Sequence, residues 1–546
     1  MTILPLNLAT NATPEALLAF LGECRAGAVR DGHPKLVSIS LAVDALDPLA
    51  VLESIFEPDE PHFYAERPSL ESAIAGAEIA TAHEASGAAR FASVQRWIDQ
   101  TLAHTIAVGD VEAPFGGPHF FAGFTFSDEV DPGEPFPPAF AFVPRWQVSL
   151  AGTTTTAVAN LLVTADADVA VQAERVWRAH AKFRHFEYAG GGESGTGGLS
   201  GTDVPAVMPG IGSGTGVPPV ISGMGGTSMP HSVQHGRDAH AATNTNQEHA
   251  RDARATSEHG RDAHATAERQ AKATFTTREA GDYRAAVARA LELISVGELN
   301  KIVLARAQDL TASQPLHPLR MLNGLRQRFP DCYAFSLAHG RGRSFIGASP
   351  ERLVRVSRGS VETEALAGSM RRGATASEDA ALAAALLRSE KDVREHREVI
   401  DDIVARLKPL GLQLEYAEQP QLRRLANVQH LHTPVRAALP EGVRLLDIVA
   451  AMHPTPAVGG NPRQSAVARI RELEGFARGL YAGALGWLNA RGGGEFFVGI
   501  RSALVEGASA RVFAGAGIVA GSTPEKEFAE TELKFKAMLE ALVGQE

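Results

Sequence analysis

Apolar residues after position 273 recur with the regular spacing of helices and strands. Val287, Leu291 and Ile294 lie at positions i, i+4 and i+7, which predicts a helix that ends at Gly297. The segment KIVLAR (301–306) follows directly and predicts a short strand. Apolar side chains occupy both faces of this strand, so we expect both faces to be buried.

Longer periodic segments predict further elements on either side of this strand. Residues 379–407 predict one long helix, and residues 524–542 predict a C-terminal helix. Nearer the N-terminus, the pattern indicates a helix at 14–20 and a strand at 120–126. The chain is therefore expected to combine helices and strands.

Residues 189–272 have a different composition. The first half of this segment is rich in Gly, Ser and Pro, and the second half repeats a unit seen as HGRDAHAAT (235–243), HARDARAT (249–256) and HGRDAHAT (259–266). Such a tract buries too little apolar surface to offset the entropy of ordering it, so a disordered insertion is expected. Its histidines could form a metal-binding tract, but they lack ligand geometry, and a low-complexity expansion is the favoured interpretation.

Composition narrows the class of protein. The formal charge is −11 and no block of Lys and Arg stands out, which argues against a nucleic-acid surface. No apolar run approaches the roughly 20 residues of a membrane span, and the N-terminus lacks the pattern of a signal peptide. The two cysteines, Cys24 and Cys332, are far apart, which favours a reducing compartment. We expect a cytoplasmic protein without nucleic-acid or membrane partners.

Two of the predicted helices carry spaced acidic residues. Asp392 and Glu395 lie at i and i+3 on one helix, and Glu527, Glu530 and Lys534 lie at i, i+3 and i+7 on the other. Each set alone is typical of a solvated helix face, and the second set would then form a Glu530–Lys534 ion pair. If the two helices meet, a hard divalent cation such as Mg²⁺ would hold the carboxylates together.

Lys301 heads the predicted strand 301–306. A lysine at this place either reaches water at the strand end or holds its amine in a pocket, where it can act as a general base. For this residue taken alone, the first alternative is favoured. Glycine-rich segments occur further along the chain, but AGAGIVAGS (514–522) lacks the spacing of a nucleotide-binding loop.

Taken in order, the motifs of the chain resemble the chorismate-utilising enzymes, which include isochorismate, salicylate, anthranilate and aminodeoxychorismate synthases. The matching segments are KIVLAR (301–306), FIGASPERL (345–353), EALAGS (364–369), KDVREHREVI (391–400), NVQHL (427–431), HPTPAVGG (453–460), YAGALGW (481–487), GIRSAL (499–504) and AGAGIVAGSTPEKEFAETELK (514–534). Upstream, FYAERP (63–68), FFAGFTF (120–126) and FVPRW (142–146) resemble the isochorismate and salicylate synthase branch. The resemblance skips 189–272.

The resemblance implies a mechanism. Lys301 would be the base that deprotonates the attacking water, and Glu351 the acid that protonates the departing C4 hydroxyl of chorismate. This role predicts a raised pKa for Glu351. Magnesium is the implied cofactor, with direct ligands Glu395 and Glu530 and with Asp392 and Glu527 acting through water.

The resemblance also implies how the substrate is bound. Tyr481 and Arg501 would hold the enolpyruvyl carboxylate, because an arginine fork suits a bidentate carboxylate. Mg²⁺ and Lys534 would hold the ring carboxylate. Further contacts are implied for Gly368 and Ser369, for a loop at Gly515, for His430 and for Ala457.

Three positions choose among the relatives. Ala367 replaces a lysine of the aminodeoxychorismate branch, and Lys301 replaces a glutamine of the anthranilate branch. Both favour water over ammonia as nucleophile, so no glutamine amidotransferase partner is expected. Ala457 stands where salicylate synthases tend to have Thr, which favours release of isochorismate. The alternatives are a salicylate synthase and a catalytically inactive homologue that acts as a binding protein.

For the fold, the resemblance implies an α+β unit of two stacked antiparallel β-sheets with helices packed outside. Residues 1–188 would form its N-terminal part and residues 273–546 the chorismate-binding catalytic region, with the disordered insertion 189–272 between them. The downstream pathway, menaquinone or siderophore biosynthesis, and the oligomeric state are left open by the sequence.

Overall fold

A computed structural model describes residues 1–4, 13–184, 274–425 and 428–543. The predicted insertion, 189–272, lies outside the described residues. The described parts of 1–188 and 270–546 form one compact unit.

Strands and helices alternate along the described chain. The strands are β1 (Thr2–Leu4), β2 (Lys35–Val43), β3 (His62–Arg67), β4 (Ser72–Ala85), β5 (Thr105–Gly109), β6 (His119–Phe124), β7 (Ala139–Ala151), β8 (Thr154–Val163), β9 (Phe275–Ala280), β10 (Lys301–Ala312), β11 (Tyr333–Gly340), β12 (Arg343–Ser349), β13 (Arg352–Ser357), β14 (Ser360–Arg371), β15 (Glu415–Tyr416), β16 (Gln421–Arg424), β17 (Val428–Ala438), β18 (Gly460–Asn461), β19 (Ala484–Asn489), β20 (Gly494–Val498), β21 (Ser502–Glu506) and β22 (Ser509–Val519). The α-helices are α1 (Pro14–Asp31), α2 (Pro48–Ser54), α3 (Arg90–Ala103), α4 (Val169–Arg184), α5 (Tyr283–Ser295), α6 (Pro318–Arg328), α7 (Ala376–Arg388), α8 (Glu390–Leu407), α9 (Leu445–Met452), α10 (Arg463–Glu474) and α11 (Pro524–Val543).

Two runs of strands share the long strand β7. One run has the order β1–β5–β2–β8–β7–β4–β3–β11–β12–β21–β22–β10–β9. The other leaves β7 through β6 and continues β19–β20–β13–β14–β17, with β15 and β16 on the far side of β17. Among the described residues only β5 pairs in parallel, with β1 and β2.

The two runs pack against each other through buried aromatic side chains. Phe63 of β3 stacks on Phe121 of β6 with ring centroids 4.5 Å apart, and Tyr333 of β11 stacks on Phe497 of β20 at 4.9 Å. Burial of each phenylalanine ring contributes about 2 kcal/mol from removal of apolar surface from water. The α+β fold with antiparallel sheets and helices outside, predicted from the resemblance, is confirmed.

The prediction of one long helix over residues 379–407 is wrong, because the structure has two helices there. α7 ends at Arg388, and Ser389 has an extended backbone with φ −71° and ψ 106°. The Ser389 hydroxyl accepts a hydrogen bond from the backbone N–H of Asp392 at 3.3 Å. Serine favours this N-cap position over the helix interior, so the chain turns and α8 begins at Glu390.

The predicted strand at 301–306 and the predicted C-terminal helix at 524–542 are both present, and β10 continues beyond the prediction to Ala312. β10 lies between β9 and β22, and its residues from Lys301 to Gln308 are all buried. α11 begins at Pro524, and the Thr523 hydroxyl accepts a hydrogen bond from the N–H of Lys526 at 3.4 Å. Among the described residues, no helix has the length and apolar content needed to cross a membrane.

Candidate active site

Lys301 lies at the start of β10 and is paired with an acidic residue of α8. Its side chain is largely buried, and its amine donates a hydrogen bond to Glu395 Oε1 at 2.7 Å. Backbone pairing holds Lys301 between Val519 of β22 and Asn461 of β18. The sequence alternative of a lysine amine held in a pocket is therefore the one that the structure supports.

A buried ion pair between Glu474 and Arg478, which the sequence did not reveal, binds the backbone of β10. The side chains of Glu474 and Arg478 are only 1% and 3% exposed. Glu474 accepts from the N–H of Ala305 at 2.6 Å, and Arg478 donates to the carbonyls of Val303 at 2.7 Å and Val458 at 2.8 Å. The pair ties the Lys301 strand to the turn that contains Ala457. A Glu and an Arg four residues apart give no sequence signal beyond an exposed helical ion pair.

Glu351 lies in the link between β12 and β13. Burial and, second to it, the negative charge of Glu364 raise the pKa of the Glu351 carboxyl to about 7. Thr455, Lys301 and Arg501 oppose this rise. The predicted raised pKa of Glu351 is confirmed, and Lys301 and Arg501 are close enough to act on it.

Glu364 is a second residue that sequence reasoning missed. Its carboxylate on β14 accepts hydrogen bonds from Arg423 Nη1 at 2.9 Å and from the backbone N–H of Arg352 at 3.3 Å. The ring Nε2 of His432 lies 2.9 Å away from it. Although burial alone would raise its pKa, these partners lower the pKa of Glu364 to about 2. A glutamate on a half-buried strand gave no sign of this cluster in the sequence.

The guanidinium of Arg501 has no acidic partner in the part of the chain that the structure describes. Its one hydrogen bond within the described residues is to Cys332 Sγ at 3.9 Å, and no carboxylate there lies within ion-pair distance. Burial lowers its pKa. An arginine remains charged in proteins, so a half-buried guanidinium that has no acidic partner among the described residues favours an anionic ligand.

Tyr481 is buried beside Gly515. Its ring stacks on Phe513 with centroids 5.0 Å apart, and burial raises the pKa of its hydroxyl. A Cβ atom at Gly515 would lie 2.7 Å from the Tyr481 hydroxyl oxygen, so only glycine fits there. The prediction of a loop at Gly515 is wrong. Gly515 lies within strand β22, where it pairs with Ala305 of β10.

The acidic residues of α8 lie near the β14 backbone. Asp392 accepts a hydrogen bond from the Ser389 hydroxyl. A Cβ atom at Gly368 would lie 3.1 Å from Asp392 Cβ, and the backbone of Gly368 has φ +75°, which favours glycine. Glu395 lies one turn further along the helix, so α8 presents both carboxylates toward this part of the sheet.

The acidic residues of α11 lie beside the same region. Lys534 donates to Glu530 Oε1 at 2.8 Å and to the carbonyl of Gly515 at 2.7 Å. Burial and the charge of Glu530 raise the pKa of Glu527, while Ser522 and then Lys391 of α8 act in the opposite direction. The Lys391 side chain of α8 is therefore near enough to Glu527 for their charges to interact.

The four carboxylates of α8 and α11, on Asp392, Glu395, Glu527 and Glu530, are the type of ligand that a hard divalent cation prefers. All four offer oxygen ligands, as Mg²⁺ prefers. Burial is the main cause of the raised pKa of Glu527, and the charge of Glu530 adds a repulsion that a cation would relieve. Within the part of the chain that the structure describes, no three acidic, His or Cys side chains are gathered into a metal-binding group. Lys301 and Lys534 instead pair with Glu395 and Glu530.

The remaining predicted residues lie on β14, on β17 and in a turn. The Ser369 hydroxyl lies 2.8 Å from His430 Nδ1, and burial lowers the pKa of His430 to about 3, so this ring is neutral. His430 Nε2 is buried without a partner among the described residues. Ala457 is partly buried in a turn closed by the hydrogen bond from Val458 N–H to the Thr455 carbonyl at 3.1 Å.

The arrangement suits proton transfer on an anionic substrate. It combines a carboxyl that keeps its proton near neutral pH, a lysine amine and an unpaired guanidinium, with two acidic helices nearby. Acid–base catalysis requires a donor and an acceptor whose pKa values are matched to the working pH.

Known enzymes share the sequence features and the fold of this chain. A family model described as "Chorismate binding enzyme" matches residues 20–194 and 228–543. The salicylate biosynthesis isochorismate synthase of Pseudomonas aeruginosa is 44% identical over 267 residues, which are 49% of this chain and 56% of that protein. The isochorismate synthase MenF of Bacillus subtilis is 39% identical over 264 residues, 48% of this chain and 56% of that protein. The chain thus spans about half the length of these curated relatives.

One solved structure extends the likeness over the whole fold. The menaquinone-specific isochorismate synthase MenF of Escherichia coli superposes with a TM-score of 0.67 and 24% identity. The match covers 96% of this chain and 99% of that chain. The family model leaves out residues 195–227, which lie inside the predicted insertion.

Proposed function

The chain belongs to the chorismate-binding enzyme family, and on that premise we propose that it is an isochorismate synthase. Its substrate is chorismate and its product is isochorismate. The observation that carries the proposal is that burial and the charge of Glu364 raise the pKa of Glu351 to about 7, while Lys301 and Arg501 lie close enough to act on the same carboxyl. Two similar proteins are named isochorismate synthases, which supports the same reaction here.

The proposed reaction moves a hydroxyl group across the ring. The Lys301 amine takes a proton from water as the water oxygen bonds to C2 of chorismate. The ring double bond shifts, the C4–O bond breaks, and Glu351 gives its proton to the departing hydroxide, which leaves as water. A base and an acid are both present for this exchange, as general acid–base catalysis requires.

The anionic groups of the substrate need fixed cations. Arg501 and Tyr481 would hold the enolpyruvyl carboxylate, since the guanidinium has no carboxylate partner among the described residues. Lys534 would contact the ring carboxylate from α11. When bound by Glu395 and Glu530, with Asp392 and Glu527 behind them, Mg²⁺ would offset the charge of that carboxylate.

Ala457 favours isochorismate as the final product. The alternative, a salicylate synthase, would go on to eliminate pyruvate. We also propose a cytoplasmic location, and the two cysteines, which are buried and free, fit a reducing compartment.

The test is product analysis after incubation of the protein with chorismate and Mg²⁺, with and without EDTA. Isochorismate formed only in the presence of Mg²⁺ is the expected result. Salicylate and pyruvate as the main products would move the assignment to salicylate synthase. No consumption of chorismate would favour an inactive, binding homologue and overturn the proposal.

A further inference from the structure

A buried charge cluster centred on Glu364 lies beside Glu351, and none of its members takes part in the proposed proton transfers. Glu364 accepts a hydrogen bond from the backbone N–H of Arg352, the residue that follows Glu351. The Glu364 carboxylate also lies 2.9 Å from both Arg423 Nη1 and His432 Nε2. The side chain of Glu364 is 9% exposed and that of Arg423 is 12% exposed. The cluster therefore joins β13, β14, β16 and β17 at the acid.

The charge on Glu364 is permanent at any working pH. Its three partners outweigh the effect of burial, and its pKa lies at about 2. Among charged neighbours, Glu364 has the largest effect on the Glu351 carboxyl. Because the site is shielded from water, a fixed charge there acts more strongly than it would on a surface.

We propose that Glu364 is a positioning residue for Glu351: held by Arg423 and His432, it anchors the Arg352 backbone and places a fixed negative charge behind the acid. This inference rests on the proposed function, since it assigns Glu351 the part of the proton donor. In this proposal Glu364 takes no part in the proton transfers itself and acts only through Glu351.

Other groups face Glu351 and act against Glu364. Lys301 approaches from β10, Arg501 from the link between β20 and β21, and Thr455 from the turn after α9, and each favours the ionised form of Glu351. Substrate carboxylates that neutralise Arg501 would strengthen the effect of Glu364. The balance of these charges thus decides over which pH range Glu351 can donate its proton.

The experiment compares the pH dependence of chorismate turnover in four proteins. These are the wild type, Glu364→Gln, Glu364→Asp and the control Glu362→Gln, which removes a charge from the same strand. Glu362 pairs with Arg352 and Arg436 and is 30% exposed. Thermal unfolding of each variant reports stability separately.

In Glu364→Gln, the alkaline limb of the rate profile should move to lower pH by roughly one unit, because one nearby like charge is lost. Its rate should approach that of the wild type on the acidic side. Glu364→Asp and Glu362→Gln should keep the limb in its original place. An unmoved limb, or a loss of rate that is equal at every pH, would overturn the proposal.

Two further measurements keep the outcome separate from the proposed function and from folding. Isotope-edited infrared titration of the Glu351 carboxyl, identified by its absence in Glu351→Gln, should show the same shift in Glu364→Gln without any turnover. A wild type that does not consume chorismate would refute the proposed function, and the infrared shift would still decide the part of Glu364. If Glu364→Gln does not fold, the double change Glu364→Gln and Arg423→Met removes both charges and should shift the limb in the same direction, because Glu364 has the larger effect on Glu351.

Discussion

At the scale of single residues, the proposed chemistry depends on the proton that Glu351 holds. Burial and Glu364 raise its pKa from 4.5 to about 7. Glu351→Gln should therefore lower kcat by about 10²–10⁴-fold, the usual contribution of a general acid. The dissociation constant for chorismate should change little, because Gln has the same shape. Product analysis and calorimetric titration measure the two quantities. Glu506→Gln, an exposed change on β21, should match the wild type.

The same pKa makes stability depend on pH. Folded Glu351 keeps its proton up to about pH 7, whereas an unfolded glutamate loses it near pH 4.5. This contribution is fully present below the unfolded pKa and is lost as pH rises through the folded pKa, by up to about 3 kcal/mol. Glu351→Gln should thus be more stable than the metal-free wild type above pH 7 and equal to it at acidic pH. Denaturant unfolding at the two extremes checks this, and an advantage independent of pH would contradict it.

Ala457 decides the product in the proposed function. Ala457→Thr adds a hydroxyl to the turn that Arg478 ties to β10, and we expect it to bring some release of pyruvate. Ala457→Val has nearly the same shape without the hydroxyl and should release none. A lactate dehydrogenase assay measures pyruvate. Equal pyruvate release by both variants would mean that side-chain size, and not the hydroxyl, alters the product.

At the scale of elements, the acidic faces of α8 and α11 define the proposed Mg²⁺ site. Glu395→Gln should weaken Mg²⁺ binding by at least about tenfold, because a direct carboxylate ligand is lost. Glu398→Gln, an exposed change one turn along the same helix, should bind Mg²⁺ as the wild type does. Calorimetric titration with Mg²⁺ measures this without substrate. Equal affinity in both variants would exclude Glu395 as a ligand.

The break between α7 and α8 shows why element boundaries were hard to predict. Residues on either side of Ser389 have helical periodicity, so pattern alone predicted a continuous helix. The Ser389 cap decides otherwise, and it also engages the Asp392 side chain. Besides its proposed part at the Mg²⁺ site, Asp392 therefore stabilises the start of α8, because a negative charge interacts favourably with the N-terminal end of the helix dipole.

At the scale of the whole molecule, the segment that the family model leaves out provides a test. Deletion of 195–227 should leave chorismate turnover and the thermal midpoint near those of the wild type, since the family match resumes on both sides. Activity and thermal unfolding measure the outcome. Loss of folding on deletion would show that the family-specific fold of this chain depends on the segment.

Local physics allowed the sequence by itself to determine much of this protein. The spacing of apolar residues and the capping residues predicted α5, β10 and α11, because these signals lie within a few consecutive residues. The ordered motifs identified the family and, through it, the α+β fold. Only the tertiary structure decided which charges meet. It pairs Lys301 with Glu395, brings Glu364 from β14 to Glu351, and buries Glu474 with Arg478 under β10. The Lys301–Glu395 pair joins residues far apart in the chain, and even the close pair Glu474–Arg478 is buried only because it contacts the distant strand β10. The strength of each interaction depends on burial, which no local pattern contains.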